Sequence, residues 1–191
     1  MTFTDSKTTN QGTQAQRFLS LLNWVHTKLG LNVPPILEMD DRRSLPPDSL
    51  GRAWIDHLVA HDLEPFDHGP RRQQLHDGVH VLTGYGTDLI GEAEVQAFLL
   101  GAKWRLVHVL LLAGLLRGLA RQRRANINAL SHEEVQSRLK IAYRRGQQSG
   151  FDPDTWQPER LWEMPLVEVR SRLGISMSSE SSFAPLSRVN S

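Results

Sequence analysis

Leu75-His76-Asp77-Gly78-Val79-His80-Val81-Leu82-Thr83-Gly84-Tyr85-Gly86-Thr87-Asp88-Leu89-Ile90-Gly91-Glu92 reads as a helix, a tight reversal and a second helix. His76 and His80 stand four residues apart, one turn along the same helix face, so both imidazoles can reach one ion. Asp77 stands three before His80 and flanks that face. Gly84-Tyr85-Gly86 must end the first helix, because glycine tolerates turn conformations that other residues resist. Asp88 can cap the next helix. A reversal of this length can then bring Glu92, with eleven residues between it and His80, back beside the two histidines.

Outward from this stretch the chain reads as helices. Upstream, Phe18, Leu19, Leu21, Leu22, Val25 and Leu29 share one face of a helix that Gly30 can stop. Pro34-Pro35 and Pro46-Pro47 make residues 31–47 an extended connector. Asp48 or Ser49 caps a helix whose Leu50, Trp54 and Leu58 recur every four residues. Asp62 to Pro70 is a polar loop, and a helix runs from about Arg71 to Leu82. The helix capped by Asp88 is expected to run to about Arg121. Ser131 with Glu134 is a capping box opening another, which ends near Gly146 to Gly150. Pro165 suits the first position of a last short helix closed by Gly174. No stretch alternates with the period of two that a strand needs. The expectation is an all-α fold, one domain of about six helices over residues 13–175, with the metal site across the helix-turn-helix reversal. Residues 1–12 are expected to be disordered, as is the tail 176–191 with its seven serines.

Composition narrows the function. Apolar residues make up 39% and charged residues 23%, enough for a core. Lys+Arg 22 against Asp+Glu 21 leaves a net charge of +1, which argues against a nucleic-acid binder. There is no cysteine, so disulfides, thiolate catalysis and Cys-ligated zinc are excluded. Met1 to Gln14 carries neither a secretory signal nor a transit peptide. The longest apolar run, Leu106 to Leu116, is too short to span a bilayer, which needs about 20 residues.

Two imidazoles and two carboxylates suit zinc, iron(II) or manganese better than calcium or magnesium. The bland alternatives are two half-buried histidines, a helix-surface Asp77, and a Glu92 favoured in a first turn by the helix dipole. Thr83, Tyr85, Thr87 and Asp88 crowd the turn; they can orient the histidines or bond substrate, or simply make the turn.

The quoted stretch resembles the signature of the coenzyme Q biosynthesis protein 4 family, His-Asp-x-x-His, eleven residues, Glu, around a His-Val-Leu-Thr-Gly-Tyr core. Leu50-Gly51-Arg52-Ala53-Trp54 resembles the family's Leu-Gly-Arg-x-aromatic helix. Trp162-Glu163-Met164-Pro165-Leu166, with Val169-Arg170 and Leu173-Gly174-Ile175, resembles its C-terminal stretch, so the likeness covers roughly residues 45–175. The resemblance implies an all-helical fold with His76, Asp77, His80 and Glu92 as ligands of a divalent metal, zinc or iron, with manganese also compatible. It implies a role in making ubiquinone or a related prenylquinone at a membrane surface. The activity implied is metal-dependent oxidative decarboxylation of a polyprenylated hydroxybenzoate, so a lyase. The partners implied are a polyprenylated aromatic lipid, other enzymes of quinone biosynthesis and a second copy of the chain, with no nucleic acid. The absence of a targeting segment suggests a bacterial member, cytoplasmic and peripheral on the inner face of the membrane.

Arg52, Arg71 or Arg72 could steer a substrate carboxylate, and Tyr85 could bond substrate; each arginine could equally be a solvated surface residue. Leu106 to Leu116 is apolar nearly all round, which fits a buried core helix or a face that holds isoprenoid or dips into a bilayer. Arg117, Arg121, Arg123 and Arg124 follow it and suit anionic headgroups or a solvated helix end. Two other functions fit the same residues. One is a non-catalytic scaffold that holds the lipid. The other is a His-Asp metal-dependent phosphohydrolase, which would need a further upstream histidine such as His57, His61 or His68.

Overall fold

The computed structural model describes residues 35–36, 44–65, 70–125 and 129–177. The helix expected over 18–29, the disordered N-terminus, most of the connector, His68 and nearly all of the serine-rich tail lie outside the described residues. The chain divides into two compact units, Met1–Glu38 with Pro65–Leu75, and Met39–Glu64 with His76–Ser191. In the first unit a single helical turn, α2 (Arg71–Gln74), presents Gln74, whose Oε1 accepts from the Ile36 N–H at 2.8 Å.

The second unit is helical: α1 (Leu50–Ala60), α3 (His76–Thr83), α4 (Leu89–Ala102), α5 (Leu106–Ala125), α6 (His132–Gln148), a 3₁₀ turn Pro158–Arg160 and α7 (Leu166–Arg172). Among the described residues no strand forms; Ser49 and Pro165 make an isolated antiparallel bridge. The fold is thus all-α, with six helices of seven residues or more among the described residues.

Three helix starts are set by a local side chain. Ser49 caps α1 through its Oγ, Asp88 caps α4 by accepting from Gly91 N–H at 3.1 Å, and Ser131 with Glu134 forms the full capping box of α6. The first N–H groups of α1 find long-range partners: Leu50 donates to the Met164 carbonyl and Gly51 to that of Trp162. This ties α1 to the approach of α7. Pro165 is the residue before α7 rather than its first helical one, because its extended ψ lets it join the bridge to Ser49. Gly174, at φ +62°, closes α7.

The core is aromatic. Trp54 stacks on Trp156 at 5.8 Å and meets Trp162 edge-on at 5.3 Å; Phe151 links Trp156 to Phe98 of α4. Gly78 lies against the six-membered ring of Trp54, where any Cβ would collide with it. α4 packs on α5 and, most extensively, on α6. At that second crossing Gly101 meets the Tyr143 carbonyl and Gly146 meets that of Phe98, so the two backbones touch. Inside, Glu94 accepts a bidentate pair from Arg138 at 2.8 and 2.7 Å.

Three sequence expectations need correcting. The helix over 71–82 is interrupted at Leu75, which closes the turn of α2 before His76 opens α3. The helix over 88–121 breaks at Lys103, whose backbone is extended. Lys103 pairs there with Asp152 and Asp154, and Arg105 with Asp154, so distant carboxylates hold open a break that no proline marks. Leu106–Leu116 is not a buried core helix: His108 is the buried residue of α5, bonded to Gln96 at 2.8 Å, while Leu106, Val107, Val109, Leu110 and Leu116 are exposed.

Candidate metal centre

α3 and the first turn of α4 bring His76, His80 and Glu92 together. One donor atom from each lies within 4.8 Å of the others. His76 Nε2 is 3.1 Å from Glu92 Oε2, His80 Nε2 is 3.2 Å from Glu92 Oε1, and the two Nε2 atoms are 3.2 Å apart. The i, i+4 spacing and the Gly84-centred reversal produce this convergence; Gly84 sits at φ +75°, a conformation that favours glycine.

The tautomer of His80 follows from its partner. Its Nδ1 lies 3.1 Å from the Tyr85 carbonyl, which can only accept, so Nδ1 carries the hydrogen and Nε2 offers its lone pair to the cluster. A backbone carbonyl holding the far nitrogen of a ligand histidine is the usual orienting device of a metal site. His80 is buried, whereas the side chains of His76 and Glu92 are 29% exposed, which leaves a way in.

Burial acts to raise the Glu92 carboxyl, but hydrogen bonds and charge from His76 and His80 override it and hold the pKa at about 2. Burial likewise acts to lower His76, yet the bond to Glu92, with the charges of Glu92 and Asp77, moves it above its ordinary value. Three donors of mixed nitrogen and oxygen character, one with its tautomer fixed and one held ionised, can hold a divalent ion.

Asp77 is not in this cluster. One residue on from His76, it is rotated by about 100° around the helix and is buried, and that burial raises its carboxyl pKa against the pull of His76 and His80. Tyr85 lines the reversal; its carbonyl serves His80, and its ring lies under the Arg145 guanidinium, 4.7 Å from Cζ. Arg52 pairs with Asp56 on the exposed side of α1 at 2.9 Å. Arg71 and Arg72 belong to α2 in the first unit. Thr83 Oγ1 bonds the Val79 carbonyl, and Thr87 Oγ1 meets His61 Nδ1 at 3.1 Å.

Three participants were not legible as such. His57, read only as a candidate upstream histidine, stacks on His80 with ring centroids 5.8 Å apart, and His61 lies beyond it at 4.6 Å. Arg145 and Arg170 reach the carbonyl end of α3: Arg145 donates to Thr83, Arg170 to Leu82 and Val81. Their cationic heads suit the negative pole of the helix. The helical positions of these arginines carried no signal of it, because the partners lie 62 to 89 residues away in sequence.

Against known proteins, no family model matches the chain. The chain is 28% identical over 154 residues to the ubiquinone biosynthesis protein COQ4 homolog, mitochondrial, of Rattus norvegicus, and 27% identical over the same length to that of Mus musculus. Each alignment covers 73% of this chain and 55% of the relative, so the chain spans about half the length of the curated relatives it matches. A crystal structure from Nostoc punctiforme PCC 73102, provisionally described as a ubiquinone biosynthesis protein, shares the fold, with a TM-score of 0.62 at 23% identity over 75% of this chain and 70% of that one. These likenesses support the COQ4 family that the motif suggested.

Proposed function

We propose that this chain, similar to the COQ4 ubiquinone biosynthesis proteins, takes part in making ubiquinone or a related prenylquinone, and that its site is metal-dependent. The substrate in this reading is a polyprenylated hydroxybenzoate, and the reaction is oxidative removal of its ring carboxylate at a membrane surface. The observation that carries it is the convergence of His76, His80 and Glu92 donor atoms within 4.8 Å, with the His80 tautomer set by Tyr85. Zinc or iron fits the donors. Such an ion would supply Lewis-acid stabilisation of charge on the ring and, if it were iron with dioxygen, hydroxylation at the same carbon.

The chain's own residues do the rest. His80 presents a lone pair in a fixed direction. Glu92 stays ionised across the working pH range. The exposed leucines and valines of α5 offer an apolar strip suited to an isoprenoid tail or a bilayer surface, and Arg117, Arg121, Arg123 and Arg124 continue it with positive charge. Among the described residues no helix is long and apolar enough to cross a membrane, consistent with contact from one side.

The test is release of labelled carbon dioxide from a carboxyl-labelled prenylated hydroxybenzoate by iron- or zinc-loaded protein, lost in His80→Ala. Tight binding without turnover would move the assignment to a lipid-holding scaffold. One observation favours a further reading: His57, an upstream histidine of the kind a phosphohydrolase would need, stacks on His80. It lies outside the cluster of donor atoms, so that reading requires hydrolysis of generic phosphate esters to displace the first.

A further inference from the structure

We infer that Arg145 of α6 is a positioning residue for the His76–His80–Glu92 cluster, acting through the Thr83–Tyr85 turn; the inference rests on the metal-site reading. Arg145 is 8% exposed, and its guanidinium spans two backbone segments. Nη2 donates to the Thr83 carbonyl at 3.0 Å and to the Ser176 carbonyl at 2.5 Å, and Nε donates to Ser176 at 3.0 Å. The same group lies over the ring of Tyr85, a residue 6% exposed. The residue it covers supplies the carbonyl that fixes His80 Nδ1. One rigid cation therefore grips the turn on both sides of Gly84.

The cost of this arrangement argues that it serves the site. No carboxylate pairs with Arg145 among the described residues, and its Nη1 is buried without a hydrogen-bond partner. A desolvated charge held only by carbonyls and a ring is an expensive way to stabilise a fold, since apolar side chains of similar volume often do as well. What an apolar residue could not do is bond Thr83 and stack on Tyr85 at once. The turn it holds is the one that must not drift, because the two ligand histidines stand on the short helix α3 before it while Glu92 arrives on the other side of the reversal.

Two readouts test this. In metal-free protein, ¹⁵N NMR of the imidazoles reports the His80 tautomer directly; wild type should be in the Nδ1–H form, and Arg145→Met should show a mixture. In cobalt(II)-loaded protein, Arg145→Met should weaken cobalt binding about 10- to 100-fold and shift the visible absorption band, with Arg145→Lys recovering part of both. Arg138→Met, which breaks the Arg138–Glu94 ion pair of the same helix, is the control for lost stability alone. Tyr85→Leu, which keeps the carbonyl but removes the ring, serves if Arg145→Met does not fold, and should loosen the tautomer in the same direction. An unchanged His80 tautomer in these variants, with wild-type cobalt affinity, overturns the inference. Failure of wild type to bind cobalt would instead overturn the metal reading, while the tautomer measurement still decides whether Arg145 positions His80.

Discussion

The imidazole of His57 lies nearly parallel to that of His80, the planes 18° apart and the centroids 5.8 Å apart. Burial, with the charges of His80, His61 and His76, lowers the His57 pKa from 6.5 to about 4. The folded protein then refuses a proton that the unfolded chain accepts. Stability is complete above pH 6.5 and falls as the pH drops toward 4, by on the order of 3 kcal/mol for a shift of this size. His57→Phe should keep the ring packing and flatten that acid limb. Melting temperatures of both proteins from pH 4 to 7 check it, and parallel acid limbs would show that His57 is not held neutral.

Metal affinity should fall in acid for a separate reason. The raised pKa of His76 means that a proton occupies the ligand nitrogen below that pKa, so an incoming ion must displace it. Affinity measured by calorimetry should drop about tenfold per pH unit on the acid side and level off above it. Glu92→Gln removes the partner that raises His76, so the break in the profile should move to lower pH while overall affinity declines. A flat wild-type profile between about pH 5.5 and 8 would take His76 out of the ligand set.

The exposed strip of α5 separates stability from surface function. Leu106 is 59% and Leu110 62% exposed, so replacing both by serine should change folding stability by no more than about 0.5 kcal/mol each. Flotation with vesicles should fall sharply in that double variant. Exchanging Arg117, Arg121, Arg123 and Arg124 for glutamine should abolish the preference for anionic over neutral vesicles and its salt sensitivity. Undiminished flotation in both variants would remove the membrane reading.

Gly78 has no room to grow. A methyl there meets the Trp54 ring, and overpacking of this kind costs about 1–3 kcal/mol. Gly78→Ala should lower the unfolding free energy from denaturant titration by that amount, and Trp54→Phe in the same chain should recover part of it by vacating the space. Equal stability of Gly78→Ala and wild type would mean that α3 and α1 can separate without loss.

Much of the site was legible because it is written in local spacing. His76 and His80 need one helical turn, Glu92 needs one reversal, and Ser49, Asp88 and Ser131 announce their helices through side chains that bond the next turn. Asp77 is three before His80 but also one after His76, and the rotation of about 100° per residue leaves its carboxylate outside the three-donor group. The break at Lys103 was hidden since ion pairs to Asp152 and Asp154, some 50 residues on, override a helix-compatible sequence. For α5 the apolar content was plain but not its destination. A leucine-rich turn has the same letters whether it faces a core or open surface, and the arginines behind it were the better guide. Arg145 and Arg170 could not be found at all by periodicity, because their task is set by partners on α3.

The tryptophan arrangement makes the protein its own optical reporter. Of its five tryptophans, Trp54 and Trp156 lie almost face to face, with Trp162 at their edge, and the Trp54 ring rests on Gly78, between the two ligand histidines. Rings this close share their electronic transitions, so the cluster should give a paired near-ultraviolet circular dichroism band that any shift of α3 would unbalance. A movement of α3 on metal loading should thus be readable by light alone, without a dye or a label.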